Sequence, residues 1–363
     1  MPSTLRLMLL SAGSLLAHKL IEALGPRRAR CMLIGTNSIA EASGNFRCDV
    51  AYLVPPAASG AAYVDRVEEI VREEAPDLVI PCRDDDVLAL AMLRERGSAG
   101  GAVLLSGSVA AAHIMNDKLA TPRFAARHAL PFAPTASNAA EALALAKAHG
   151  LPLIGKPRRG FASRGVVLLR SPAEIERAFA QSTDLLAQPY LDPPSDMDAL
   201  VAPFEAGLPF VFSFPESGVY TLQVIVGPDG RTSDSYAALA RQAGGVAVEL
   251  RRCDDPRLLE SGDAYGRAAA AEGWIGPLNV QLKRTPDGRF VAYELNGRFS
   301  GTVADQLYMG RDALHRVVRR FLPAVDFPAI DVSESDLVQR HLCSYPVLRE
   351  GAAALHASGR WVR

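Results

Sequence analysis

The reading turns on Leu278-Asn279-Val280-Gln281-Leu282-Lys283-Arg284, the turn residues Pro286-Asp287-Gly288, and Phe290-Val291-Ala292-Tyr293-Glu294-Leu295-Asn296-Gly297-Arg298-Phe299-Ser300-Gly301. Pro-Asp-Gly is turn chemistry, so the two apolar-rich runs predict a β-hairpin. With Asp287-Gly288 as a two-residue loop, Gln281 falls opposite Glu294 and Asn279 opposite Asn296. Side chains at i and i+2 share a strand face, so these four polar residues share one, and a four-residue loop would keep them there. Leu278, Val280, Leu282, Val291, Tyr293 and Leu295 fall on the other face, toward a core. A carboxylate and side-chain amides on a rigid sheet form an oxygen set of the kind magnesium takes, completed by water and phosphate oxygens. The ordinary alternative is a solvated face, but such faces favour Lys, Thr and Glu over Asn and Gln aimed at one Glu. Arg298 follows closely enough to hold phosphate or carboxylate oxygens bidentately.

Upstream lies Gly155-Lys156-Pro157-Arg158-Arg159-Gly160-Phe161-Ala162-Ser163-Arg164-Gly165. Glycines let backbone N–H groups approach phosphates, and the cations add charge. The spacing is neither a Walker A loop nor a serine-hydrolase elbow. Taken alone, it is also the pattern of a basic surface loop.

Residues 1–112 alternate strand and helix: strands at 5–10, 31–35, 77–81 and 103–105, helices following Gly13, across 63–71 and from Asp84 to Leu93. That alternation predicts a parallel sheet with helices on both faces. Residues 113–190 predict a small α+β unit. It has capping boxes at Asn138–Glu141 and Ser171–Glu174 and strands at 153–156 and 166–169 around the glycine loop. Residues 191–325 predict mostly strands, at 199–202, 209–214, 220–226, 235–239, 246–250, 278–284 and 290–295, with one helix over 256–273. Residues 326–363 form an extension without a readable role.

Of the 39 basic residues only five are Lys, at 19, 118, 147, 156 and 283. Forty acids balance the bases, and charged and hydrophobic residues make up 22% and 49% of the chain. This is a globular balance, without the basic excess of a nucleic-acid or membrane-surface protein; near-zero charge also leaves a homodimer open. No apolar run reaches the roughly 18 residues that span a bilayer. The cysteines, at 31, 48, 82, 253 and 343, lack zinc or disulfide spacing and predict a reduced, cytoplasmic protein. Asp84-Asp85-Asp86 suits the first turn of a helix better than a metal site, and the histidines lack metal or triad spacing. Ser11-Ala12-Gly13-Ser14 after the first strand disfavours a nicotinamide fingerprint.

In order, these pieces resemble the ATP-grasp superfamily, in particular the carbamoyl-phosphate-synthase-like carboxylate–amine ligases. The resemblance spans about residues 5–320. Its motifs are Val79-Ile80-Pro81 with Asp84-Asp85; Met115-Asn116-Asp117-Lys118 with Phe124; Lys156-Pro157 and its loop; Gln188-Pro189-Tyr190-Leu191; Arg241 with Gly244-Gly245; and Gln281 followed by Glu294-Leu295-Asn296-Gly297-Arg298. The resemblance implies a mixed α/β and α+β protein: an N-terminal Rossmann-like (pre-ATP-grasp) domain, a mobile lid and a C-terminal antiparallel-sheet domain. It implies ATP and Mg2+ or Mn2+ as cofactors. Lys118, Lys156 and the loop including Gly160, Ser163, Arg164 and Gly165 would bind phosphates, and Gln188, Pro189, Tyr190 and Leu191 would line the adenine pocket. Gln281, Glu294 and Asn296 would bind the metal. Arg298 and Arg241 would be the catalytic residues, stabilising the transferred phosphoryl group or acyl phosphate. Asn296-Gly297-Arg298 departs from the family's Asn-Pro-Arg, Pro189 stands where Glu is common, and Asp192, Asp196 and Asp198 all remain candidates for the ribose. Lys283 shares the metal face by parity; Lys19 and Lys147 read as helix-surface residues.

The implied reaction is ADP-forming ligation of a small-molecule carboxylate to a small-molecule amine through an acyl phosphate, which needs positioning and charge neutralisation rather than a protein nucleophile. The alternatives are carboxyphosphate chemistry on bicarbonate and a non-catalytic nucleotide-binding regulator.

Overall fold

The computed structural model describes residues 4–158, 165–206, 218–233, 235–243, 246–332 and 335–363, with backbone alone for 203–206. The expected strand at 209–214 lies outside these residues.

The first unit follows the predicted alternation. Strand β1 (Leu5–Leu9) leads into helix α1 (Leu15–Leu24), capped by the Ser14 hydroxyl on the Ala17 N–H. There follow β2 (Cys31–Asn37), β3 (Val50–Leu53), α2 (Ala61–Glu74), β4 (Leu78–Ile80), α3 (Asp84–Glu95) and β5 (Val103–Leu104). The short strand β3 has no periodic signal in the sequence. These strands pair in parallel, in the order β3-β2-β1-β4-β5, so the chain reverses its direction of growth between β1 and β4. Such a switch point opens a crevice at the carboxyl ends of the strands. Leu7, Leu9, Leu33 and Ile80 pack one face against α1, and Met8, Ile34, Val67 and Leu90 pack the other against α2 and α3.

Helices α4 (Val109–Asn116) and α5 (Ala120–Arg127) lead to α6 (Ala139–His149), which Asn138 caps as its capping-box spacing predicts. Strands β6 (Leu153–Pro157) and β7 (Val167–Leu169), helix α7 (Pro172–Gln181) and β8 (Leu185–Pro189) complete a three-stranded antiparallel sheet, β7-β6-β8. Helix α8 (Met197–Ala206) occupies the region expected as a strand at 199–202. Its Ala and Leu positions suit either element. The Asp196 carboxylate, accepting from the Ala199 N–H, favours the helix.

Strands β9 (Val219–Val226), β10 (Tyr236–Ala243), β11 (Val246–Cys253), β12 (Gly276–Arg284) and β13 (Phe290–Asn296) form an antiparallel sheet, with α9 (Pro256–Ala271) packed across it. Leu222, Val224, Leu278, Val280 and Leu282 meet Leu258, Tyr265 and Ala269 of α9 and the fully buried Trp274. Helices α10 (Val303–Tyr308) and α11 (Ala313–Phe321) follow. Then β14 (Leu337–Gln339) extends the same sheet beside β11.

The C-terminal segment returns to the first unit. Helix α12 (Arg349–Ser358) and strand β15 (Arg360–Val362) close it, and β15 adds antiparallel to the free edge of β3. Trp361 packs edge-on against Phe46, and Arg360 donates to the Tyr52 hydroxyl at 2.9 Å. Lys19, expected on an open helix surface, is mostly buried and pairs with Glu22 at 2.7 Å and Asp305 at 3.7 Å, linking α1 to α10. No described helix is long and apolar enough to cross a membrane.

Candidate active site

The hairpin β12–β13 pairs Gln281 with Glu294 and Asn279 with Asn296, as the sequence predicts. The turn differs from the two-residue expectation. Thr285 and Arg289 close it, with Gly288 left-handed at φ +84°, so three residues form the loop. An odd loop inverts strand parity, and a bulge at Tyr293 inverts it back before Glu294. Phe290 and Ala292 therefore face the core instead of Val291 and Tyr293. The odd loop puts Tyr293 on the polar face, where its hydroxyl donates to Gln281 Oε1 at 2.7 Å, and the bulge sets Glu294 on that face beside it.

Lys118 and Lys156 reach the same place from different elements. Lys156, on β6, is buried and donates its Nζ to the Tyr293 carbonyl at 3.0 Å. Lys118, between α4 and α5, lies 3.9 Å from Glu294 Oε1. Burial pushes the Lys156 ammonium down to about 8; Glu294 opposes the shift and Lys118 adds to it. Asp117, beside Lys118, takes two hydrogen bonds from the Arg158 guanidinium, one of them Nε–Oδ1 at 2.7 Å. This pairing holds the Asp117 carboxyl below the usual range and ties β6 to the α4–α5 junction. Local sequence patterns gave no sign of it.

Gln188 ends buried on β8, donating to Thr135 Oγ1 at 2.9 Å, and Pro189 pairs with Leu153. Tyr190 N–H reaches the Pro152 carbonyl at 3.4 Å, and Leu191 follows. Of the three ribose candidates, Asp192 meets Lys283 at 3.2 Å, bringing the hinge onto the Gln281 face. Gly165 is left-handed at φ +73°, and a Cβ there would stand 2.9 Å from the Pro157 ring. Gly160, Ser163 and Arg164, expected to bind phosphate, lie outside the described residues, as do Gly244 and Gly245.

Arg298 donates its Nε to Asp84 Oδ1 at 2.7 Å, across 214 residues, so the β4–α3 turn at the switch point faces the loop after β13. Its NH2 also approaches Asn296 Oδ1 at 3.4 Å. Arg241 is exposed and lies 3.6 Å from Glu249. Its strand parity is that of Leu239, which pairs through Tyr220 to Leu282, so the sheet does not turn it to the Gln281 face. Asp85 is the outward member of the acidic run. Asp86 is buried and accepts from Ser11 and Tyr63 hydroxyls and the Cys82 and Arg83 N–H groups. Desolvation still raises its carboxyl to about 6. Its role is to hold the turn that presents Asp84.

Among the described residues, no group of three or more His, Cys, Asp or Glu is placed to hold a metal. The Gln281–Glu294–Asn296 set supplies hard oxygens instead. Asn296 is buried, and its Nδ2 lacks a hydrogen-bond partner; that donor suits a phosphate oxygen, and turning the amide over would present its oxygen to a metal. Behind the set, Asn279 Oδ1 accepts from Thr221 at 2.8 Å, and Thr221, Ser300 and Thr302 continue the network. Gly297 abuts Trp274: a Cβ there would lie 2.9 Å from Cζ2 and 3.0 Å from Cζ3, and closer still to Cη2. The departure from Asn-Pro-Arg therefore has a steric cause.

A parallel switch-point unit, a small antiparallel sheet carrying a buried lysine, and an antiparallel sheet carrying Gln, Glu and Asn together make up the ATP-grasp fold. No family model matches the chain. It is 31% identical over 181 residues to the formate-dependent phosphoribosylglycinamide formyltransferase of Dechloromonas aromatica (strain RCB), a match covering 49% of this chain and 43% of that protein. The match thus spans less than half of that relative's length. Among solved structures, the biotin carboxylase domain of Hydrogenobacter thermophilus 2-oxoglutarate carboxylase, in complex with MgADP, ADP and bicarbonate, gives a TM-score of 0.64 at 16% identity, covering 92% of this chain and 72% of that one. N5-carboxyaminoimidazole synthetase from Staphylococcus aureus, complexed with ADP, gives 0.62 at 10% identity, covering 88% and 78%.

Proposed function

We propose that the protein is an ATP-dependent, ADP-forming ligase that joins a small carboxylate to a small amine through an acyl phosphate. The observation that carries this reading is the meeting of Lys118 and Lys156 with Glu294 and its paired Gln281 on one sheet face. Two cations beside one carboxylate and two amides suit a metal-bound polyphosphate, with the lysines taking phosphate charge. When bound, Mg2+ would neutralise charge on the transferring phosphoryl group. Gln281, Glu294 and Asn296 would hold it, and ATP would lie between the β6–β8 sheet and the β12–β13 hairpin, its adenine against Gln188–Leu191.

In the first step a substrate carboxylate oxygen attacks the γ-phosphorus and the bond to the ADP oxygen breaks. In the second an amine attacks the acyl carbon and phosphate leaves, carrying the former carboxylate oxygen. Arg298, steadied by Asp84, would stabilise the acyl phosphate, with Arg241 as a proposed contributor from the rim. The carboxylate class includes one-carbon acids: formate appears in the name of the Dechloromonas relative, and bicarbonate lies in the Hydrogenobacter complex. Bicarbonate is accordingly the second reading, through carboxyphosphate.

The test is ADP release from MgATP with pooled carboxylates, bicarbonate included, and pooled amines. Release that depends on the pools and is lost in a folded Glu294→Ala variant is expected. Release unaffected by Glu294→Ala would sink the site assignment, and no release with any pool would favour a nucleotide-binding regulator.

A further inference from the structure

We propose that Tyr293 is a positioning residue: the three-residue turn and the bulge set it beside Glu294 on the ligand face, where its hydroxyl fixes the orientation of the Gln281 amide. The inference rests on the proposed metal set and adds to it a residue that the turn and the bulge bring there together with Glu294. A primary amide is a two-ended ligand. One end is an oxygen with two lone pairs, the other an NH2 that repels a cation. Rotation by half a turn about the last side-chain bond exchanges them, so an unheld Gln spends part of its time presenting the wrong end. A carboxylate has no such problem, because its two oxygens are equivalent.

Tyr293 supplies the missing constraint. Its hydroxyl donates to Gln281 Oε1 at 2.7 Å, occupying one lone pair and leaving the other free. The tyrosine is itself held, because Lys156 Nζ donates to its carbonyl at 3.0 Å and lies 5.6 Å from its ring centroid. The bulge sets Tyr293 and Glu294 side by side on the ligand face, and the Tyr293 carbonyl there meets the buried lysine. In a strand without the bulge the two residues would alternate, and only one of them could face the ligand. Groups behind a metal ligand that fix its orientation are typically worth about 10- to 100-fold in metal affinity.

The experiment is a cycle of Tyr293→Phe and Gln281→Glu in the full chain. ADP affinity is measured by calorimetry in excess Mg2+ and in EDTA, and the ratio of the two dissociation constants reports metal coupling. In the Gln281 protein, Tyr293→Phe is expected to cut that ratio about 10-fold and leave the EDTA affinity and thermal midpoint unchanged. In the Gln281→Glu background the same substitution is expected to change it less than about twofold, since a carboxylate needs no orienting. An equal loss in both backgrounds would assign Tyr293 a merely structural role and overturn the inference, as would no loss in the first. If the parent protein bound ADP equally with and without Mg2+, the metal set itself would fall, and the inference with it.

Discussion

Gly297→Ala isolates the steric lock behind the site. Gly297 does not occupy the left-handed region, so alanine is compatible with its backbone and the effect is packing alone. The new methyl would meet the Trp274 ring at 2.9–3.0 Å or less, about 1 Å inside the favourable carbon–carbon separation. Trp274 is fully buried and has nowhere to retreat. Overpacking of this kind costs about 1–3 kcal/mol, equivalent to roughly 2–4 °C per kcal/mol for a unit of this size. The alternative to moving the ring is moving the backbone between Asn296 and Arg298. A displacement of about 1 Å there would cost on the order of 100-fold in turnover. The assay is thermal unfolding of Gly297→Ala, Trp274→Phe and the double variant. Phenylalanine lacks the far indole ring, so the double variant should be more stable than the sum of the single losses implies. Strict additivity, or an unchanged midpoint for Gly297→Ala, would refute the lock.

Two further outcomes follow from the charges. Lys156 has its pKa lowered to about 8 in the folded protein against an ordinary 10.5, so the unfolded chain binds more protons between those values, and this group's contribution to stability rises with pH across that window. Bound phosphate would favour the charged form; ADP binding at pH 8–9 should therefore take up a proton, measured by calorimetry in buffers of different ionisation enthalpy, and Lys156→Met should abolish that uptake. Asp84→Asn removes the partner of Arg298 while both side chains keep about a fifth of their exposure; a loss of about 1–3 kcal/mol, below that of a fully buried pair, should appear in urea unfolding, with turnover reduced at unchanged ADP affinity.

What was legible in the chain was what local patterns carry. The strand–helix alternation of residues 5–105, the Asn138 and Ser171 caps and the Gln281–Glu294 pairing all depend on neighbours in sequence or on one turn. The faults lie where one residue decides parity or where the partner is distant. Gly288 shifts the turn to three residues and Tyr293 restores the register, two opposite offsets that leave the ligand pair intact and so conceal each other. Asp84 finds Arg298 across more than 200 residues, and β15 finds β3 across more than 300, and no periodicity encodes those encounters. The β15 edge pairing also explains why residues 326–363 were unreadable: their order comes from a surface built by residues 46–74.

The central claim is that a carboxylate oxygen attacks the γ-phosphate. It is tested most directly with the active carboxylate labelled with 18O, its amine partner and MgATP, followed by mass analysis of the released phosphate. The account predicts ADP, with one 18O carried into each phosphate. Unlabelled phosphate, or AMP and pyrophosphate in place of ADP, would contradict it.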